Sequence, residues 1–125
     1  RYVLMNERVT TDSISAAIVA YLFIGLAFAS AYYCLVVLEP RSFSIPADMP
    51  AAQGTQLETT MIYYSYVTLA TLGYGDISPR LPVSQMLAAV EAIIGQFYIA
   101  VVIAWLMSVY AADRSRTRRQ ERSDE

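Results

Sequence analysis

Residues 71–76, which read TLGYGD, form the part of the sequence with the clearest chemical potential. They include two of the chain's five glycines, Gly73 and Gly75, one residue apart. Glycine adopts backbone angles that other residues avoid, so successive carbonyl oxygens of such a strand can point to one side. A row of carbonyl oxygens can replace the hydration shell of a bare monovalent cation. The chemistry predicted for this stretch is cation coordination by the backbone.

The composition excludes most other chemistry. The sequence of 125 residues contains no histidine and one cysteine, Cys34, so it offers no nucleophile–base set of an enzyme and no cluster for a transition metal. Cys34 lies in an apolar run and is predicted to be a small buried residue. The chain is 56% hydrophobic and 16% charged, whereas soluble domains carry about a quarter charged residues. The sequence therefore predicts a membrane protein without enzymatic activity.

Two apolar runs are long enough to cross a bilayer, for which about 20 residues suffice. An outer helix is predicted over 13–38, which carries no charge, and an inner helix over 83–112, whose one charge is Glu91. Tyr32, Tyr33, Trp105 and Tyr110 lie toward the ends of these runs and are predicted at the membrane interfaces.

The segment between the two runs does not read as an ordinary loop. Residues 39–56 are rich in proline and small residues. Residues 57–70 contain three tyrosines and three threonines and are too few to span a membrane. Such a stretch is a candidate for a re-entrant helix. Non-helical backbone at membrane depth, as in 71–76, is tolerated only in a protein interior or along a water-filled cavity. Because one chain supplies one wall of such a cavity, several chains must meet around an axis.

Arginine positions predict the orientation. Five arginines lie in the tail 113–125, two lie in the head 1–12, and the middle segment has more acidic than basic residues. The positive-inside rule then places both termini in the cytoplasm. The head is predicted to be a cytoplasmic or interfacial segment, and the tail a charged segment that contacts lipid headgroups rather than nucleic acid. Since the sequence begins with arginine, we expect it to be part of a longer protein whose regulatory segments are absent here.

The motif TLGYGD resembles the selectivity-filter signature of potassium channels, TVGYGD. The longer stretch YYSYVTLATLGYGDISP is similar to the pore helix, filter and following turn of bacterial two-transmembrane channels, and the resemblance covers about residues 13–112. It implies an all-α membrane fold with outer helix 13–38, turret 39–56, pore helix 57–70, filter 71–76 and inner helix 83–112. It also implies assembly with three identical subunits into a tetramer, in the plasma membrane, that conducts K⁺.

The same resemblance assigns roles around the filter. The carbonyls of Thr71, Leu72, Gly73 and Tyr74 would bind K⁺, with the Thr71 hydroxyl at the inner end, and Gly75 would free the strand geometry. Leu72 replaces the usual valine without changing the carbonyl.

Three residues of the pore helix are expected to support the filter. Val67 stands where some relatives carry a glutamate. We predict a hydrogen bond from Tyr63 to Asp76 of the same chain, and one between Tyr64 and Tyr74 of a neighbour, because buried tyrosine hydroxyls need partners.

On the inner helix the sequence leaves alternatives open. Gly95 matches the hinge glycine of the family, or it allows close helix packing. Gln96 would place an amide near the top of the cavity. Ile99 and Ile103 would form an apolar cavity wall, or they face lipid.

Glu91 has no basic partner within either apolar run. An ionisable residue inside a membrane usually faces the protein interior. We therefore predict that it is buried against the pore helix and bonded to hydroxyl or backbone donors, with candidates at Thr59, Thr60, Ser65 and Thr68, and that it couples the inner helix to the filter. Its protonation state stays open, and the alternative is that it reaches the outer headgroups.

Two alternatives to a potassium-selective channel remain. One is a nonselective monovalent cation channel, and the other is a non-conducting membrane assembly subunit with two spans.

Overall fold

The computed structural model describes residues 11–46 and 55–123, and within these it describes the side chains except those of Thr11, Val109 and 111–123. The predictions for residues 1–10, 47–54 and 124–125 lie outside this part. The described chain is mostly helical and has the order α1 (Thr11–Leu38), a 3₁₀ turn (Pro40–Ser42), β1 (Phe43–Ser44), α2 (Thr55–Leu69), β2 (Ser78–Pro79) and α3 (Pro82–Ser123).

α1 and α3 are the two helices that can cross a membrane. Their apolar spans, Asp12–Leu38 and Pro82–Ser108, are long enough for a bilayer, and only a small share of each is buried within the chain. Large apolar side chains such as Phe23 and Phe97 are therefore exposed, at 65% and 68%. Contiguous exposed apolar surface of this kind is a mark of contact with lipid or with other chains. The fold is that of a two-span membrane protein.

α3 extends further than the apolar pattern indicates. The inner helix was predicted to end at residue 112, but its backbone stays helical to Ser123. The residues beyond 112 are mainly Arg, Gln, Glu, Ser and Asp, among which Arg, Gln and Glu are good helix formers. A change from apolar to charged residues therefore marks the end of the span, not the end of the helix.

α2 is the short helix that lies between the two spans. Its bounds, Thr55–Leu69, are shifted from the predicted 57–70, and Ala70 lies in the turn that follows. One face of α2 packs on α1 around three rings, those of Tyr32, Phe43 and Tyr64, whose centroids lie 5.0 to 5.5 Å apart in edge-on contacts. The core contains these rings and Val36, Leu57, Met61 and Ile77.

Two predictions for α1 were wrong. Tyr32 was predicted at the membrane interface, but it is fully buried in the core, because its hydroxyl has a buried acceptor and its ring has aromatic partners. Cys34 was predicted to be buried, but it is exposed, because it lies on the face of α1 that turns away from α2. When no polar residues are spaced along an apolar run, the sequence does not show which face of a spanning helix packs against the rest of the protein.

The predicted loop 39–56 begins with ordered structure. β1 pairs with β2 in antiparallel register, Phe43 opposite Pro79. The carbonyl of Ser42 accepts hydrogen bonds from the backbone of Arg80, at 2.8 Å, and from the hydroxyl of Ser84, at 2.8 Å. This small clamp joins the end of α1 to the start of α3 and so holds both ends of the α2–filter segment.

Candidate functional site

Residues 71–75, here called the filter strand, have an alternating backbone. Thr71, Gly73 and Gly75 have positive φ angles of 57°, 57° and 78°, so every second residue is left-handed. A Cβ atom added at Gly73 or Gly75 would meet nothing within 4 Å. Glycine is therefore favoured at these two positions for its backbone angle and not for space.

The N–H groups at the inner end of the filter strand point back to α2. The carbonyl of Val67 accepts the N–H of Leu72 at 2.9 Å and that of Gly73 at 3.3 Å. In a trans peptide the carbonyl points away from the N–H of the same peptide unit. The carbonyl oxygens of Thr71 and Leu72 therefore point away from α2, toward the side on which residues 71–75 are exposed. Such oxygens are available to coordinate a cation.

Val67 holds the strand through its backbone, and its side chain is 9% exposed. The side chain cannot hydrogen-bond to Asp76, as a glutamate there could. The strand is thus held at its inner end by a main-chain acceptor of α2.

Thr71 carries backbone strain. A β-branched residue with positive φ is an outlier, which costs on the order of 1–3 kcal/mol and persists where neighbours fix it. Its N–H bonds to the carbonyl of Thr68 at 2.9 Å, and the amide nitrogen of Gln96 donates to its hydroxyl oxygen at 3.0 Å. Gln96 on α3 thus contacts the inner end of the filter strand, in the region predicted for it.

Asp76 closes the outer end of the strand. The hydroxyl of Tyr63 donates to its carboxylate at 2.7 Å, as predicted, and the N–H of Ile77 donates to the other oxygen at 2.9 Å. The bond from Tyr63 lowers the pKa of the Asp76 carboxyl, and the same bond raises the pKa of Tyr63. Both effects favour the ionised carboxylate at neutral pH.

Tyr64 follows Tyr63 on α2 but points into the core, whereas Tyr63 is exposed. Tyr64 is 6% exposed, and its ring packs on Tyr32 and Phe43 of its own chain. The predicted contact with Tyr74 of a neighbour needs a second chain and stays a prediction. Tyr74 itself is 67% exposed.

Gly95 contacts the end of α2. A Cβ atom at this position would overlap the carbonyl oxygen of Leu69, and α3 is an uninterrupted helix through Gly95. The geometry therefore supports the packing interpretation of Gly95. Close packing at Gly25 of α1 was not predicted: a Cβ atom there would overlap the ring of Tyr66. The isolated glycine within an apolar run was the available signal.

Ile99 and Ile103 follow Gly95 on α3 and are 41% and 56% exposed. They line an apolar groove of about 240 Å³ between α1 and α3, together with side chains that include Ile14, Tyr21 and Trp105. They also share a helix face with Gln96, since they follow it by three and seven residues. The cavity-lining role predicted for them stays a prediction.

Glu91 is fully buried between the three helices. One carboxyl oxygen accepts the hydroxyl of Tyr32 on α1 at 2.6 Å, and the other lies 2.5 Å from the hydroxyl oxygen of Ser65 on α2. Burial against α2 and the partner Ser65 agree with the prediction. Tyr32 was missed, because only the folded structure shows that it faces inward. Thr59 and Thr60, two other predicted partners, bond instead to carbonyls of their own helix.

The chain is similar in sequence to a known protein family and to several known proteins. A family described as "Ion channel" matches residues 11–112, which include the three helices' membrane portions and the filter strand. Protein LctB of Bacillus caldotenax is 30% identical over 98 residues, which cover 78% of this chain and 72% of that protein. Protein LctB of Geobacillus stearothermophilus is 27% identical over 109 residues, which cover 87% and 79%. Two pore potassium channel c of Oryza sativa subsp. japonica is 26% identical over 92 residues, which cover 73% of this chain and 17% of that protein.

Proposed function

The chain belongs to the ion channel family, and from this premise we propose that it forms the pore of a potassium-selective channel. The family is one of channels and not of enzymes, and it does not support a non-conducting assembly subunit. K⁺ is the proposed cargo, bound by the carbonyls of residues 71–74 and, at the inner end, by the hydroxyl of Thr71. The observation that carries the proposal is the pair of hydrogen bonds from Leu72 and Gly73 to Val67, which turn the carbonyl oxygens of Thr71 and Leu72 away from α2.

Selectivity is supported by the way the strand is held. A filter that distinguishes K⁺ from Na⁺ uses the number, spacing and field strength of its carbonyl groups. Here the inner end is attached to Val67 and the outer end to Tyr63 through Asp76. The rice relative is named as a potassium channel. The alternative is a nonselective cation channel, which would conduct K⁺ and Na⁺ equally.

The exposure of the filter strand supports an assembly of several chains. The filter strand is exposed on one side of the chain, and a single strand cannot enclose an ion. Closed cyclic symmetry is the usual solution for identical chains. We propose four chains around the axis, in the plasma membrane, with both termini in the cytoplasm. Crosslinking or native mass measurement is the test, and a dimer as the largest species would contradict the proposal.

Flux measurements test selectivity. The purified protein is reconstituted into liposomes, and K⁺ flux, Na⁺ flux and block by Ba²⁺ are compared with protein-free liposomes. We expect K⁺ flux to exceed Na⁺ flux by on the order of tenfold or more, since each 1.4 kcal/mol of preference is a factor of ten. Equal fluxes would favour the nonselective channel, and no flux of either ion from an assembled oligomer would contradict both.

A matched pair of variants locates the ion site. Thr71→Ala removes the hydroxyl at the inner end of the strand and should weaken K⁺ preference. Thr59→Ala removes a hydroxyl of α2 that is exposed and bonds only to the carbonyl of Thr55, at 2.9 Å, and should leave flux unchanged. An equal effect of the two variants would argue against ion binding at Thr71.

A further inference from the structure

Three oxygen–oxygen contacts meet at Glu91 and Ser65. The hydroxyl of Tyr32 lies 2.6 Å from one carboxyl oxygen of Glu91, and the hydroxyl oxygen of Ser65 lies 2.5 Å from the other. The same Ser65 oxygen lies 2.7 Å from the carbonyl oxygen of Gly25. All three distances are short enough to require a hydrogen atom between the two oxygens.

The hydrogen atoms can be counted. Tyr32 supplies one and Ser65 supplies one, while the carbonyl of Gly25 can only accept. Two hydroxyl hydrogens cannot serve three contacts, so the third hydrogen must come from the carboxyl group of Glu91. In that arrangement Glu91 donates to Ser65, Ser65 donates to Gly25, and Tyr32 donates to Glu91. With an ionised Glu91, its oxygen and the Gly25 carbonyl would compete for the one hydrogen of Ser65.

In the described part of the chain, no basic side chain acts on Glu91 to balance a charge. The titratable side chains that act on it are Tyr21 and Tyr32 of α1 and Tyr64 of α2, all phenols. Its neighbours one turn away on α3 are Leu87, Ala88, Ile94 and Gly95. No arginine or lysine occurs in either span. A buried charge without a partner is strongly unfavourable, whereas a hydrogen-bonded neutral acid is not.

The contacts of Glu91 and Ser65 lie close to the residue that holds the filter strand. Ser65 lies two residues before Val67, whose carbonyl holds the N–H groups of Leu72 and Gly73. The contacts of Ser65 with Glu91 of α3 and Gly25 of α1 fix α2 to both spanning helices at this level. A displacement of α2 would move the carbonyl of Val67, which holds the inner end of the filter strand by hydrogen bonds.

We propose that Glu91 is a positioning residue of the pore, held as the neutral acid, and that its own proton joins α3 to α2 behind the filter. The inference deepens the proposed function and rests on it where ion selectivity is the readout. If the proposal is right, Glu91→Gln should resemble the wild type, because an amide also donates to Ser65 and accepts from Tyr32. A substitution that removes the donor should be damaging.

The experiment compares Glu91→Gln, Glu91→Ala and the control Glu39→Gln, which alters an exposed carboxyl at the end of α1. Infrared difference spectra at neutral pH should show a protonated-carboxyl band in the wild type that is missing from Glu91→Gln and present in Glu39→Gln. The melting temperature of the oligomer and its ratio of K⁺ to Na⁺ flux should be kept in Glu91→Gln. In Glu91→Ala both should fall, the melting temperature by roughly 5 °C or more.

The outcomes separate the steps of the inference. Absence of the carboxyl band from the wild type would show an ionised Glu91 and overturn the proposal. So would a Glu91→Gln variant as damaged as Glu91→Ala, or a Glu91→Ala variant equal to the wild type. If Glu91→Ala does not assemble, Ser65→Ala replaces it, and an unchanged frequency of the Glu91 band in that variant would overturn the donor role. If wild-type flux is not selective, the proposed function fails, while the band and the melting temperatures still decide the state of Glu91.

Discussion

At the scale of single residues, the filter strand depends on two kinds of backbone. Gly73 and Gly75 take positive φ angles at little cost, whereas Thr71 takes one against its preference. The strained residue is also the one whose hydroxyl meets Gln96 of α3. The strain is therefore kept where a side chain is needed, and glycine is used where only the angle is needed.

Gly73→Ala should damage the filter without a steric clash. Space is free at Gly73, but an alanine with a φ of 57° is disfavoured by about 1–2 kcal/mol. We expect an assembled protein whose melting temperature no longer rises when Na⁺ is replaced by K⁺. The matched control Val101→Ala, at a position 63% exposed on α3, should keep that rise. A Gly73→Ala variant that keeps it would show that the left-handed angle is dispensable.

Tyr63→Phe should change the acid sensitivity of the outer filter. The bond from Tyr63 lowers the pKa of Asp76 below its ordinary value of 3.8, so the stability it contributes is present above that value and is lost as the pH falls through the lowered pKa. In Tyr63→Phe the pKa of Asp76 should move up, which carboxyl NMR shifts can measure, and K⁺ binding should weaken at a higher pH than in the wild type. An unchanged pKa would show that the bond is not formed in the membrane.

At the scale of elements, α2 is held on one side by aromatic rings and on the other by very small residues. Tyr66 of α2 lies where Gly25 of α1 leaves room, and Leu69 at its end lies where Gly95 of α3 leaves room. Hydroxyls then add hydrogen bonds to backbone carbonyls across these contacts, as from Tyr21 to Leu69 at 3.2 Å and from Tyr66 to Leu22 at 2.8 Å. α3 therefore approaches the backbone of α2 at Gly95, and α1 approaches the ring of Tyr66 at Gly25.

Gly95→Ala should separate the packing and hinge interpretations of this glycine. The added Cβ would overlap the backbone carbonyl of Leu69, which cannot turn aside as a side chain could. Overpacking of this kind costs about 1–3 kcal/mol, so the melting temperature should fall, whereas Val101→Ile, which adds a methylene at an exposed position, should not lower it. A normal melting temperature with altered opening would instead support a hinge.

The sequence contained enough to predict the elements but not the way they face each other. Run length and charge predicted both spans and the short helix between them, and the position of an ionisable residue within a span predicted that Glu91 is buried. The inward direction of Tyr32 could not be predicted, because an apolar run has no alternation to mark its faces. The β1–β2 clamp was also missed, since two-residue strands leave no periodic pattern.

At the scale of the whole molecule, much of the apolar surface is left without a partner in one chain. Ile93 and Ile103 of α3 are 54% and 56% exposed. In the proposed tetramer, the half of α3 that follows Gly95 would meet its copies or the axis. An apolar constriction there can close a pore by dewetting.

Ile103→Asn should then raise the open probability, because a polar side chain keeps water in the constriction. The same change at Ile93, in the outer half of α3, serves as the matched control and should leave opening unchanged. Single-channel recordings in planar bilayers measure both. Equal open probabilities in Ile103→Asn and the wild type would place the gate at the filter or further along α3.

The two attachments of the filter strand imply an order of events during biogenesis. In the described part of the chain, Leu72 and Gly73 have an acceptor for their N–H groups, whereas Tyr74 and Gly75 have none. We therefore expect the inner half of the strand to take shape in a newly inserted monomer, and the N–H groups of Tyr74 and Gly75 to become protected only in the proposed assembly. We expect amide hydrogen exchange in the monomer to be slower at Leu72 and Gly73 than at Tyr74 and Gly75, with the difference disappearing on assembly. Equal exchange in the monomer would mean that the filter matures in one step.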